Sequence, residues 1–187
     1  MKKTGINLLL VLLATTAFSQ MDAQKTKQSP KTQTSDASYK AAIGLKAIVG
    51  NDDALPALSG KFFISPNSAV EANISYDGYR GYGVSSSAVT LHLFYQYHGY
   101  FNESLKELRW YAGAGPTAGF VSSKNDYTGS ESIFRIGGGP IGGAEYKFKN
   151  IPLAVSADWM PTYIYVPEYE TGAFNWDVAG IGAKYTF

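Results

Sequence analysis

The sequence has no cysteine and only two histidines, His92 and His98. The first absence removes disulfide staples and thiolate metal sites, and the second leaves too few imidazoles for a protein-held metal site. An excess of either charge is missing too. Sixteen basic and 15 acidic residues leave a net charge of +1, which gives no reason to expect nucleic-acid binding. Neither histidine falls in a long connection and no nucleophile–base pair is visible, so no catalytic residue and no cofactor is assigned. What is abundant is Gly, at 20 residues, and Tyr, at 14. Gly is poor in helices and Tyr favours strands, so the balance points away from a helical protein.

Long apolar runs are confined to the start of the chain. Met1-Lys2-Lys3 precedes an apolar stretch at 6–18, and Ala17-Phe18-Ser19 supplies the small residues a signal peptidase reads. Residues 1–19 are therefore expected to be a signal peptide, with cleavage before Gln20 or, alternatively, after Ala23. The run falls short of the ~20 apolar residues that a spanning helix needs. Residues 20–38 have almost nothing to bury and read as a disordered periplasmic leader. If the remainder enters a membrane, it must do so as a barrel.

From residue 39 onward, alternating segments recur between turn signals. Strands are expected at roughly 40–49, 57–65, 69–79, 87–98, 109–120, 132–147, 152–163 and 175–187. Tight turns at 65–68 and 149–152 alternate with longer connections at 51–56, 79–86, 122–131 and 166–174. Short turns on one side and long loops on the other are the pattern of an outer-membrane barrel. One short-side connection, 99–108, departs from it, since Asn102 with Ser104 and Glu107 is spaced to cap a single helical turn.

One face of these strands carries Ile43, Leu45, Leu58, Phe62, Ile74 and Leu91; the other carries Ser59, Asn73, Thr90, His92, Gln96 and Ser156. A soluble carrier would turn the polar face to water, where about 25–35% charged residues are usual. Here that face has about one charge per strand, which suits the cramped interior of an eight-stranded barrel instead. The inward charges are Lys46, Lys61, Arg135 and Lys184 against Glu71, Glu145 and Asp158. Near-balance in a poorly hydrated space predicts a closed lumen and an internal ion-pair network, with His92 and Gln96 filling its remaining hydrogen bonds. Aromatic residues gather near strand ends, as interfacial girdles require.

The final stretch, 177–187, reads D-V-A-G-I-G-A-K-Y-T-F, an amphipathic strand ending in Phe187 with Tyr185 two residues before it. With the export signal and the alternation of 39–187, it resembles the small eight-stranded outer-membrane β-barrels of the OmpA/OmpX-like superfamily. The resemblance implies an all-β, closed antiparallel up-and-down transmembrane barrel in the bacterial outer membrane. It also implies that Tyr185 and Phe187 form an assembly signal read by the barrel-assembly machinery. Expected surroundings are outer-membrane lipid and lipopolysaccharide, with an extracellular protein or glycan as a further candidate partner. Tyr79, Arg80 and Tyr82 in the second loop, and Tyr165 and Tyr169 in the fourth, are the candidate contacts.

Gly137-Gly138-Gly139-Pro140-Ile141-Gly142 satisfies G-x-G-x-x-G, but strand rather than helix follows it, against a dinucleotide site. The stretch repeats 113–119 almost position for position, so both read as devices that let a narrow sheet bend, set opposite one another with Pro116 and Pro140 near one height. The function expected is a non-enzymatic structural or surface-interaction barrel. A small pore or a membrane-embedded lipid-modifying enzyme remains the alternative.

Overall fold

The computed structural model describes residues 39–187, except 51–52, 82–83, 103 and 126–128. The signal peptide, the leader and Tyr82 lie outside the described residues.

Ten strand segments are present: β1 (Ala41–Gly50), β2 (Asp53–Ser65), β3 (Ser68–Gly81), β4 (Val84–Tyr100), β5 (Leu108–Asn125), β6 (Gly129–Lys147), β7 (Leu153–Trp159), β8 (Thr162–Val166), β9 (Thr171–Asn175) and β10 (Ala179–Thr186). They make eight barrel strands, because β7 and β8 are halves of one and β9 and β10 halves of another. The first break falls at Met160-Pro161, where proline cannot donate to the ladder. β7 pairs with β6 and β10, and β8 continues between β6 and β9. All pairing is antiparallel, and β10 closes on β1 from Ala42↔Thr186 to Val49↔Ala179. Closure removes every edge within the bilayer, which is what backbone groups in lipid require.

Most described residues of the connections expected to be long loops are strand instead, with a single 3-10 turn at Pro167–Tyr169. Pairing runs up to Gly50↔Asp53, Gly81↔Val84, Asn125↔Gly129 and Val166↔Thr171. β4, β5 and β6 hold 17, 18 and 19 residues, where about 9–11 cross a bilayer. The surplus stands outside the lipid as hairpins, whose Gly, Ser and Asn content had the look of turns. Around 102 the described residues form hydrogen-bonded turns rather than a helix. Asn102 Oδ1 accepts the Ser104 amide at 2.8 Å, and the Leu105 N–H donates to the Asn102 carbonyl at 3.0 Å. β5 begins at Leu108, and before it Asn102 satisfies the local backbone in a turn.

Polarity is inverted relative to a soluble protein. Leu45 is 69% exposed and Ile181 67%, whereas Lys46 and Lys184 are 1%. The barrel interior is layered along its strands. On β1, Lys46 sits between Ala42 and Ile48; on β2, Lys61 sits between Ala57 and Phe63. Ala42 and Phe63 join Tyr39, Ala69 and Ala154 in one apolar cluster, and Ile48 and Ala57 join Phe94, Tyr111, Ile141 and Met160 in another. The charges lie between them.

Candidate functional site

Period-two alternation on neighbouring strands sends one residue in two inward, so side chains distant in sequence meet on the barrel axis. Glu71 of β3 is the hub. Its carboxylate lies 2.6 Å from Lys46 Nζ, 3.1 Å from Lys61 Nζ and 3.3 Å from Lys184 Nζ. Lys46 reaches on to Asp158 at 2.8 Å, and Lys61 to Glu145 at 2.8 Å. Tyrosine hydroxyls close both ends of the chain of contacts: Tyr39 donates to Glu145 and Tyr111 to Asp158, each at 2.6 Å. Gln96 Nε2 donates to Glu71 at 3.3 Å, and its carbonyl faces His98 at 3.2 Å. Three ammonium groups thus meet three carboxylates in a space where each is 7% exposed or less. Burial at this depth is tolerable because every charge is paired, although one oxygen, Asp158 Oδ1, is left without a hydrogen-bond partner among the described residues.

Arg135 does not join this network. It faces inward as its parity required, but it sits higher on β6, opposite Gly119, half-buried at the outer mouth. Parity sets the face and says nothing about depth. Tyr39 and Tyr111 complete the network without having been assigned to it; of the two residues expected to fill its remaining hydrogen bonds, Gln96 reaches Glu71 and His92 lies beside Thr117 instead. Tyr111 shares inward parity with Thr117, a signal its aromatic neighbour Trp110 obscured. Arg109 is also buried, with its guanidinium bonded to the Tyr100 hydroxyl and lying against the Tyr100 and Phe63 rings.

Above the upper apolar cluster is a cavity of about 160 Å³. Its walls include Ile48, Leu55 and Val178, the side chains of Thr90 and His92, and Arg135. His92 Nδ1 and Thr117 Oγ1 are 2.9 Å apart. That pair has the elements of a nucleophile and a base, yet no carboxylate among the described residues hydrogen-bonds the ring, and Thr117 is 1% exposed.

The candidate contacts outside the membrane separate. Tyr79 and Arg80 are exposed on the β3–β4 hairpin. Tyr165 is half-buried on β8 opposite Ile136. The Tyr169 hydroxyl donates to Glu131 at 2.7 Å, and Glu168 accepts the Phe134 amide at 3.1 Å, so the β8–β9 hairpin is tied to β6. At the other end, Tyr185 and Phe187 project outward, 52% and 62% exposed, with ring centroids 4.9 Å apart. The Phe187 N–H donates to the Ala41 carbonyl at 2.8 Å and its carbonyl accepts from Lys40 at 3.0 Å. The two glycine–proline stretches lie on paired strands with Gly115 opposite Gly139, while Pro116 faces Gly138 and Pro140 faces Ala114. The two prolines thus stand on either side of the glycine pair. A Cβ on Gly115 would run into the Leu93 carbonyl, and one on Gly139 into that of Pro161. These glycines let strands approach.

No protein-family model and no curated protein sequence matches the chain. Solved structures do. Neisserial surface protein A aligns at 15% identity over 79% of this chain and 94% of its own, with a TM-score of 0.52. Ail, the attachment invasion locus protein of Yersinia pestis, gives 13%, 79%, 96% and 0.51. The N-terminal β-barrel domain of Pseudomonas aeruginosa OprF gives 22%, 79%, 96% and 0.50. The chain therefore has the fold of the small eight-stranded outer-membrane β-barrels, and its apolar exterior around a charged, packed interior makes it a barrel of the outer membrane.

Proposed function

We propose that the protein is a non-catalytic, non-conducting surface barrel that meets extracellular partners through its raised hairpins. The observation that carries this reading is the lumen, where Lys46, Lys61, Lys184, Glu71, Glu145 and Asp158 are paired between two apolar layers. Ion flow would have to break these buried pairs. With the interior spent on packing, recognition falls to the surface. On the membrane belt the neighbours are lipid and lipopolysaccharide, and at the final strand Tyr185 and Phe187 present paired rings to the barrel-assembly machinery.

At the hairpins the charges favour a protein partner over a polyanionic glycan. Asp77, Glu131, Glu168 and Glu170 stand there against Arg80 and Lys124. Ail has been solved in complex with the heparin analogue sucrose octasulfate; a polyanion needs cations, and this rim is richer in carboxylates. The exposed Tyr79 and Arg80 are residue types that anchor protein interfaces. Planar-bilayer recording of the purified protein tests the closed lumen, with no steady current expected. Steady, large, ion-selective conductance would overturn it and promote the pore.

A further inference from the structure

We infer that the outer mouth of the barrel is a binding site for a small monocarboxylate, with the Arg135 guanidinium as its charge partner. The inference begins with an inequality among the inward cations. Lys46, Lys61 and Lys184 each face a carboxylate, and Arg109 rests on the Tyr100 and Phe63 rings. Arg135 is half-buried and has no such partner among the described residues. Its guanidinium reaches a partly open cavity in which an anion can displace water and pair with it.

The space beside it is available for one. Arg135 stands opposite Gly119, which lines the cavity and has no side chain to fill it. Its volume of about 160 Å³ is that of roughly five waters, enough for a ligand of a few heavy atoms. No carboxylate among the described residues lines it. Ser75, Thr90 and Thr117 offer hydroxyls, while Ile48, Leu55 and Val178 offer an apolar wall. One planar fork of donors matches one carboxylate. A phosphate dianion would be left half neutralised by a single cation, and a bare inorganic anion would gain nothing from the apolar wall. The chemistry that fits is a carboxylate with a short hydrocarbon tail.

The test is an amide ¹H–¹⁵N titration of the intact barrel in lipid nanodiscs. Sodium propionate is compared with propionamide, at ionic strength held constant with sodium chloride. Saturable shifts at Thr117, Gly119 and Gly137 are expected with propionate, with binding at least ten-fold weaker for propionamide. Arg135→Gln should weaken propionate at least ten-fold and Arg135→Lys by less. Ser75→Leu, which fills the cavity and keeps the charge, should abolish the shifts. Folding of each variant is checked by heat-modifiable gel migration. If Arg135→Gln fails to fold, the propionate–propionamide contrast on the unaltered chain decides. Equal binding of the two probes, no saturable shift, or unchanged affinity in a folded Arg135→Gln barrel would overturn the assignment. So would inorganic phosphate binding as tightly as propionate.

Discussion

Replacing Glu71 by Gln tests the lumen at its most connected point. The substitution keeps shape and volume, so no cavity forms, and it removes only the charge and one acceptor. Lys46 would keep Asp158 at 2.8 Å and Lys61 would keep Glu145 at 2.8 Å. Lys184 would lose Glu71 at 3.3 Å, the carboxylate it pairs with among the described residues. The balance of three ammoniums and three carboxylates becomes three and two, inside a layer sealed by apolar side chains on both sides. Removing one partner of a buried pair costs about 3–5 kcal/mol, and Glu71 serves three partners, so the upper part of that range is expected. Urea unfolding in lipid vesicles, followed by emission of Trp110, Trp159 and Trp176, measures it. A second change, Glu71→Gln with Lys184→Met, removes the stranded ammonium. If the two charges act as one network, the double variant is more stable than the sum of the single losses by at least about 1 kcal/mol. A loss below about 1 kcal/mol for Glu71→Gln, or strict additivity in the double variant, would refute the sealed ion-pair layer and show that water screens it.

Gly115→Val and Gly139→Val should each sharply weaken heat-modifiable migration, because the new side chain meets the backbone of Leu93 or Pro161; an unchanged melting point would show that the strands there can part. Glu107→Gln should leave the urea midpoint unmoved, since its bond to Lys149 at 2.9 Å lies at the surface. Lys149 holds the Glu107 carboxyl below its usual range, so whatever stability this pair adds is present at neutral pH and lost as pH falls through that lowered value. A midpoint shift that survives high salt would contradict this. Deleting Phe187 should lower the amount of folded barrel in outer membranes while detergent refolding of the purified chain stays largely intact; equal membrane levels would sink the assembly-signal reading.

Alternation carried most of the architecture because lipid punishes any departure from it. Each exposed backbone must pair and each outward side chain must be apolar, so Leu45, Leu58, Leu91 and Ile181 mark the outside unambiguously. The inward charges followed from the same parity. Outside the bilayer that pressure ends. The hairpin segments around Ser85, Ser122 and Thr171 are polar on both faces, and their pairing is decided by the strand they turn back upon, which no short window contains. Depth is the other quantity that a period of two cannot express. Arg135 and Glu145 share a strand and a face, yet the second sits in the sealed layer and the first in the mouth, because strand tilt and stagger determine which side chains share a level. Tyr39 was equally hidden, since it precedes β1 and acquires its role only when the barrel folds Glu145 toward it.

The position of the network along the chain bears on how the barrel closes. Lys46 lies on the first strand, Lys184 on the last, and Glu71 on the third, so the hub joins both sides of the β1–β10 seam. Seams are where register is at risk, since a slip of one residue turns every side chain of a strand to the opposite face. Such a slip of β10 would point Lys184 into lipid and bring Tyr185 inside. A lysine on the lipid face costs about 2–4 kcal/mol at the bilayer midplane and about 0–1 kcal/mol near the interface, and Glu71 would also be left with one ammonium fewer. The apolar preference of this strand rests on Ile181 and Tyr185, since Ala179, Gly180, Gly182 and Ala183 offer little area on either face. The single charge on β10 therefore acts together with Ile181 and Tyr185 in distinguishing the closed register from its neighbours.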